Sequence, residues 1–233
     1  VEPLKPSGLD EAELRDVPVC DRKSVLLNLN DLRVVLFCDA EVKVGRPVIG
    51  SEEGQVSRPH NGIMIEPPDV GPSDAKGTWK WITGDVLPYK SISREHCEFR
   101  FDTNGGVEIR DQKRPTCLAE KGAAPAKTIA ENWTPVTPGR LALGVSATAL
   151  TMDLELYRCE TCGDCPSQCG FCKKGKRTGA ILRRRDASLA YVLLWSCLDL
   201  GLFMPRYEGV RIKWDRGAFQ YECNGTTGWL LPG

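Results

Sequence analysis

The sequence predicts a mainly β chain, in which an antiparallel β-sandwich precedes a small, cysteine-rich α+β extension at the C-terminal side. Three observations support this fold class. Short runs rich in aliphatic residues recur from Ser24 to Tyr157 and are separated by polar breaks. The turn Asn104-Gly105-Gly106 between CEFRF and VEIRD is typical of a β-hairpin. Five cysteines then fall within the string CETCGDCPSQCGFC, where the β-like pattern stops.

We expect residues 1–23 to be a peripheral lead-in and residues 24–158 to form the sandwich. Its first strands are predicted in SVLLNL, LRVVLF and EVKVG. Residues 47–89 contain many Gly and Pro and only short apolar runs, which is typical of a long insertion that is either functional or carries minor strands of its own. The segments CEFRF, VEIRD, RLALG and ALTMDLELY complete the predicted sandwich.

Residues 159–176 are the cysteine-rich segment, and residues 177–233 are predicted to be a small α+β unit. The apolar stretch Ala187–Leu202 is interrupted by Ser196 and Asp199 and is shorter than a bilayer requires, so we interpret it as a buried helix. The segments VRIKW and AFQYEC, joined by a short turn, predict a hairpin near the end of the chain.

The composition of the chain and the motifs it lacks argue against several classes of function. Lys plus Arg and Asp plus Glu both number 31, so no overall charge favours nucleic acid or an acidic membrane surface. The acidic first residues lack a basic flank and an apolar run, which predicts no signal peptide and a cytoplasmic protein. Phosphate-binding loops, dinucleotide fingerprints and nucleophile elbows are missing from the sequence, so we expect a binding protein and not an enzyme.

Three segments together resemble the forkhead-associated (FHA) family of phosphothreonine-binding domains. LRVVLFCDAEVKVGR is similar to the family's opening strands ending in Gly-Arg, and SISREHCEFRF to its Ser-Arg-x-His element. TPVTPGRLALGVSATALTMDLEL resembles the closing pair of strands. The three segments occur in the family's order and span roughly residues 24–158, a length that suits one such domain with an insertion.

The resemblance implies a phosphate site at Arg46 and Ser93, with Arg94 nearby, and structural roles for Gly45 and His96. Paired guanidinium hydrogen bonds suit the oxygens of a phosphothreonine dianion. The family's Asn-Gly pair after the VEIRD-like strand, which holds the backbone of the bound peptide, is missing here. The side chains available in its place are those of Gln112, Lys113 and Arg114.

The leading functional prediction is therefore a phosphothreonine-dependent adaptor or scaffold in kinase signalling or in a larger assembly. An alternative is a structural protein whose FHA-like sandwich docks to its partner without phosphate. A third hypothesis, of another class, is an iron–sulfur or nucleic-acid role centred on the cysteines.

The cysteine-rich segment predicts a metal site. Two Cys-x-x-Cys turns supply four thiolates for tetrahedral zinc, namely Cys159, Cys162, Cys169 and Cys172, with Cys165 as a further candidate ligand. The spacing of the first four cysteines also matches a bacterial ferredoxin motif, although the Pro follows the third cysteine and not the fourth. A disulfide knot is the third alternative and is disfavoured in the cytoplasm. We expect structural zinc, because neither histidine, His60 or His96, is close to the segment.

Overall fold

The computed structural model describes residues 24–38, 41–46, 48–49, 56–57, 63–64, 92–102, 106–112, 114–120, 127–144, 149–158, 178–184, 188–194, 197–215 and 218–230. The predicted lead-in 1–23, most of the predicted insertion 47–89 and the cysteine-rich segment 159–176 lie outside these residues. Within the described ranges, no helix has the length and apolar character needed to cross a membrane.

The larger sheet has eight strands and runs from β1 to β10 in the spatial order β1-β2-β15-β14-β13-β12-β9-β10. Neighbouring strands are antiparallel except β2 and β15, which pair in parallel. The strands are β1 (Ser24–Leu29), β2 (Leu32–Phe37), β9 (Thr116–Glu120), β10 (Lys127–Thr128), β12 (Gly139–Leu143), β13 (Leu150–Arg158), β14 (Thr178–Arg184) and β15 (Leu189–Leu193).

The second sheet has five strands in the order β11-β8-β7-β3-β6 and completes the sandwich. Its strands are β3 (Glu41–Gly45), β6 (Ile63–Met64), β7 (Cys97–Phe101), β8 (Val107–Asp111) and β11 (Thr134–Pro135), and a separate pair joins β4 (Val48–Ile49) to β5 (Val56–Ser57). Alternate residues such as Val44, Phe99 and Ile109 are buried in one cluster with Leu141 and Leu182 of the larger sheet. The predicted β-sandwich is confirmed.

A four-stranded sheet covers the other face of the larger sheet. It has the order β16-β17-β18-β19 and consists of β16 (Leu198–Asp199), β17 (Arg211–Asp215), β18 (Ala218–Cys223) and β19 (Thr226–Leu230). Ile212 and Phe219 of this sheet share a second buried cluster with Leu27, Leu36 and Val192. Because β1, β2 and β15 are buried on both faces, they are continuous apolar runs without polar alternation.

The predicted helix in Ala187–Leu202 is wrong. Its first part is strand β15, which pairs with β2 and β14, and its last part is β16 followed by the 3-10 turn Leu200–Leu202. A strand buried on both faces is apolar at every position, and such a run has no period that separates it from a buried helix. The described residues of the predicted extension form strands and 3-10 turns and contain no α-helix.

The cysteine-rich segment connects two neighbouring strands of one sheet. Arg158 at the end of β13 pairs with Thr178 at the start of β14, and the pairing continues to Met152 and Arg184. The prediction placed a separate unit after residue 176, whereas the pairing places the residues on both sides of the segment in the sandwich. The predicted extension thus contributes β14 and β15 to the larger sheet and adds the four-stranded sheet outside it.

We expect a chain that ends at Arg158 not to fold. Strand β15 lies between the β1–β2 hairpin and β14, so this truncation detaches the hairpin and removes buried residues such as Ile181, Leu182 and Val192. Each such side chain contributes about 2 kcal/mol by burial, and a domain is stable by only about 5–15 kcal/mol. Dispersion of amide resonances in a two-dimensional NMR spectrum tests this, and a dispersed spectrum from residues 1–158 would contradict the topology.

Candidate functional site

Three chain segments meet at one end of the five-stranded sheet. They are the end of β3 at Gly45 and Arg46, residues 92–96 before β7, and residues 111–116 between β8 and β9. The main-chain amide of Arg46 donates to the Ser93 carbonyl at 3.0 Å. The amide of Gln112 donates to the His96 carbonyl, also at 3.0 Å. These bonds join the segment 92–96 to both of the others.

His96 is the buried link among the three segments, with none of its surface exposed. Its amide donates to the Val44 carbonyl at 2.8 Å, and its ring Nδ1 accepts from the Ser93 amide at 3.2 Å. Because Nδ1 is an acceptor, the ring proton is on Nε2, which donates to the Pro115 carbonyl at 3.3 Å. The ring therefore connects the start of the segment 92–96 to the end of the loop 111–116.

Burial keeps this imidazole neutral. The pKa of His96 is lowered to about 4, mainly by desolvation and in addition by the nearby positive charge of Arg114. The hydrogen bond to the Pro115 carbonyl opposes this shift, because it favours the protonated ring. The described contacts of His96 are thus those of a scaffold residue at neutral pH.

Arg46 has a fixed main chain and a partly buried side chain. Its Nε is buried and has no hydrogen-bond partner among the described residues. A buried N–H donor without a partner is unfavourable by about 1–3 kcal/mol. An anion bound at this end of the sheet would supply the missing acceptor.

Ser93 lies next to Arg46, and its hydroxyl is engaged within its own segment. The Oγ donates to the Glu95 carbonyl at 2.5 Å. A hydroxyl has a single proton, so the Ser93 hydroxyl has to leave this carbonyl before it can donate to a ligand. The Glu95 carboxylate in turn lies 3.8 Å from Nζ of Lys43 on β3, a half-exposed ion pair. Arg94 is exposed between Ser93 and Glu95.

The side chains predicted as peptide contacts in the loop 111–116 do not all point to the same place. The side chain of Gln112 is directed to β7, where its Nε2 donates to Glu98 Oε2 at 2.7 Å. Arg114 is exposed next to His96, and Lys113 lies outside the described residues. The structure therefore brings Arg46, Ser93 and Arg114 to one end of the sheet and turns the Gln112 amide towards the outer face of the sheet.

Two carboxylates that sequence reasoning missed hold this loop. Both oxygens of Asp111 accept from the Thr116 amide at 3.0 Å, which closes the loop on itself, and burial raises the pKa of Asp111. Glu98 is buried on the outer face of β7 and binds Arg110 and Gln112. The sequence feature that could have pointed to Asp111 is an Asp in front of a Pro-containing loop. The feature that could have pointed to Glu98 is the pairing of opposite charges across neighbouring strands.

Comparison with known families now identifies the module. Residues 85–124 match the family model for the FHA domain. This part of the chain is similar to the FHA domain. The match includes the segments 92–96 and 111–116 with Ser93 and His96, and it begins after Arg46. FHA domains are phosphopeptide-binding interaction modules and not enzymes. The comparisons found no match among curated proteins or among solved structures.

The structure describes none of the predicted metal ligands. Cys159, Cys162, Cys165, Cys169 and Cys172 all lie outside the described residues. Within the described part of the chain, no three His, Cys, Asp or Glu side chains are grouped as metal ligands. The apolar surroundings of Cys20, Cys38, Cys97 and Cys117 in the sequence predict small core residues. Cys38, Cys97 and Cys117 are buried, and Cys20 lies outside the described residues.

We expect acid to destabilise the FHA domain through His96. The unfolded chain binds a proton at the ordinary histidine pKa of about 6.5, whereas the folded chain binds it only near 4. The contribution of His96 is therefore complete above pH 6.5 and is lost as pH falls from 6.5 towards 4, by up to about 1.4 kcal/mol per pH unit. Urea denaturation at a series of pH values measures this slope.

The matched control is the variant His96→Asn, which removes the titrating ring. Its free energy of unfolding is expected to depend less on pH between 6.5 and 4 than that of the wild type. Equal slopes for the two proteins would show that the ring of His96 is not buried in its neutral form.

Proposed function

We propose that the FHA domain binds phosphothreonine peptides and that Arg46 is the main phosphate contact. The buried Nε of Arg46, which lacks a partner among the described residues, is the observation that supports this proposal. A phosphothreonine carries about −1.5 to −2 charges near pH 7 and three acceptor oxygens. One of these oxygens satisfies Nε, and the terminal nitrogens of the guanidinium meet the others in paired, charge-assisted bonds.

Ser93 is the second proposed contact. Its carbonyl accepts from the Arg46 amide, so the two residues keep the same relative position whether or not a ligand is bound. On binding, the Ser93 hydroxyl exchanges the Glu95 carbonyl for a phosphate oxygen, which is a stronger acceptor because it is charged. The exposed Arg94 and Arg114 add positive charge at the same end of the sheet, and Lys113 follows Gln112 in the same loop.

In this proposal the protein is an adaptor or scaffold that recruits a phosphorylated partner, in kinase signalling or in a larger assembly. The equal numbers of acidic and basic residues suit a site where a few placed groups recognise the ligand. The alternative function is docking to a partner without phosphate. Replacement of Arg46 distinguishes this alternative from phosphate-dependent binding.

We further propose that the cysteine-rich segment binds one structural zinc ion through Cys159, Cys162, Cys169 and Cys172. The pairing of Arg158 with Thr178 supports this assignment, because it fixes both ends of the segment on adjacent strands and so reduces the entropy lost on closing a metal site. The proposal assumes the reducing, cytoplasmic environment that the sequence predicts, in which thiols stay reduced.

Replacement of Arg46 by Ala is expected to weaken binding of a phosphothreonine peptide by about 100-fold. Two charge-assisted bonds of about 1.5 kcal/mol each are lost, and tenfold in affinity is about 1.4 kcal/mol. Isothermal titration calorimetry with phosphorylated and unphosphorylated forms of one peptide, chosen from a phosphopeptide library, measures the effect.

The matched control is Arg140→Ala. Arg140 is an exposed arginine on β12 of the larger sheet, where it pairs with Asp153 of β13 and not with the segments of the candidate site, so its loss is expected to leave the affinity unchanged. Equal binding of the phosphorylated and unphosphorylated peptides, unaffected by Arg46→Ala, would favour docking without phosphate and contradict the proposal.

Metal analysis of the purified protein is expected to find about one zinc ion per chain. The variant Cys162→Ser is expected to release it, because three thiolates bind zinc less tightly than four, whereas Cys223→Ser changes a cysteine of β18 and retains the metal. A brown protein that contains iron would instead support the iron–sulfur alternative.

A further inference from the structure

Glu98 is a buried carboxylate on a sheet face that otherwise carries partly exposed polar side chains. Only 2% of its surface is exposed, although it lies on the outer face of β7, opposite Arg110 of β8. A single oxygen, Oε2, accepts from Arg110 Nη2 at 2.7 Å, from Arg110 Nε at 3.0 Å and from Gln112 Nε2 at 2.7 Å. A buried carboxylate with three donors is a fixed point of the structure.

The carboxylate determines how Gln112 is oriented. An ionised carboxylate can only accept, so the amide nitrogen of Gln112 has to face Glu98. The main-chain amide of Gln112 is also used, because it donates to the His96 carbonyl. Gln112 is therefore held by its side chain to β7 and by its main chain to the segment 92–96.

Gln112 begins the part of the loop that leads to Arg114 and Pro115. The carbonyl of Pro115 accepts from the ring of His96, and Arg114 lies close enough to this ring for its charge to act on it. The position of Gln112 thus sets where this part of the loop starts. Arg110 is itself held in place, since its guanidinium lies 4.4 Å from the ring centre of Trp133.

We propose that Glu98 is a positioning residue of the peptide site, which acts by holding Gln112, and that Gln112 does not itself contact the peptide. The inference rests on the proposed phosphopeptide function. It replaces the sequence-based expectation that the Gln112 side chain stands in for the family's Asn. The Gln112 amide is already committed to a carboxylate, and a neutral peptide carbonyl is a weaker acceptor that does not displace it.

The same two strands offer a control pair. Arg100 of β7 and Glu108 of β8 are bonded at 2.7 Å, and the Arg100 guanidinium also lies over Trp133, at 4.2 Å. This pair has the same chemistry and the same sheet face. However, it lies towards the hairpin end of β7 and β8, away from the loop 111–116.

The test is an exchange of the two side chains. Gln112→Glu alone places two carboxylates together and breaks the contact, so phosphopeptide affinity is expected to fall about tenfold, as for the loss of one bond to a charged group. The double variant Glu98→Gln with Gln112→Glu restores one amide and one carboxylate. Its affinity is expected to return to within about threefold of the wild type, because the two residues are coupled. Glu108→Gln is expected to leave the affinity unchanged.

Hydrogen exchange of the main-chain amides at positions 112 and 116 gives a readout that needs no peptide. Protection at position 112 reports the bond to the His96 carbonyl, and protection at position 116 reports the bond to Asp111. Both are expected to decrease in Gln112→Glu and to recover in the double variant.

Two results would overturn the inference. If affinity stays low in the double variant while amide protection recovers, Gln112 contacts the peptide directly. If Gln112→Glu changes neither affinity nor protection, Glu98 does not position the loop. Failure of the proposed function is a different result: the wild type then binds no phosphopeptide, while the exchange experiment on the amides still decides whether Glu98 holds Gln112.

Discussion

The neutral, buried ring of His96 holds together the candidate site of this FHA-like domain. One nitrogen accepts from the Ser93 amide and the other donates to the Pro115 carbonyl, while the main chain of His96 bonds to Val44 and Gln112. These bonds hold the three segments of the site against one another. A protonated ring could not accept from the Ser93 amide, because both of its nitrogens would then be donors. The positions of Ser93 and Arg46 therefore depend on a His96 ring that stays buried and neutral.

The scaffold beneath the site is a sandwich extended by later parts of the chain. Strands β14 and β15 enter the larger sheet, and the four-stranded sheet covers its outer face, so several strands are buried on both sides. This arrangement places the β13–β14 connection away from the candidate site. Thr116, Leu143 and Leu150 pair in line at the site end, and β13 runs from there to Arg158. Arg158 and Thr178, which flank the cysteine-rich segment, thus lie at the end of the larger sheet opposite to Thr116.

The sandwich strands could be predicted because each depends on local pattern. Short motifs also predicted that Arg46, Ser93 and His96 lie together, as they do, whereas the roles of Arg46 and Ser93 in binding stay a prediction. The alternation in CEFRF and VEIRD marks strands buried on one face, and the structure has them as β7 and β8. The insertion of β15 beside β2 could not be predicted, since a run that is apolar at every position fits a helix or a buried strand equally well. The contact of Glu98 with Gln112 could not be predicted either, because it depends on strand register and on the path of a loop.

The proposal that Arg46 binds phosphate depends on its buried Nε, which has no hydrogen-bond partner among the described residues. The most direct measurement is the ¹⁵N and ¹H chemical shift of the Arg46 Nε–H group during titration with a phosphothreonine peptide. The account predicts that the proton moves downfield and saturates with the phosphorylated peptide, and that the unphosphorylated peptide causes no change. A phosphopeptide that binds while the Arg46 Nε–H resonance stays in place would contradict it.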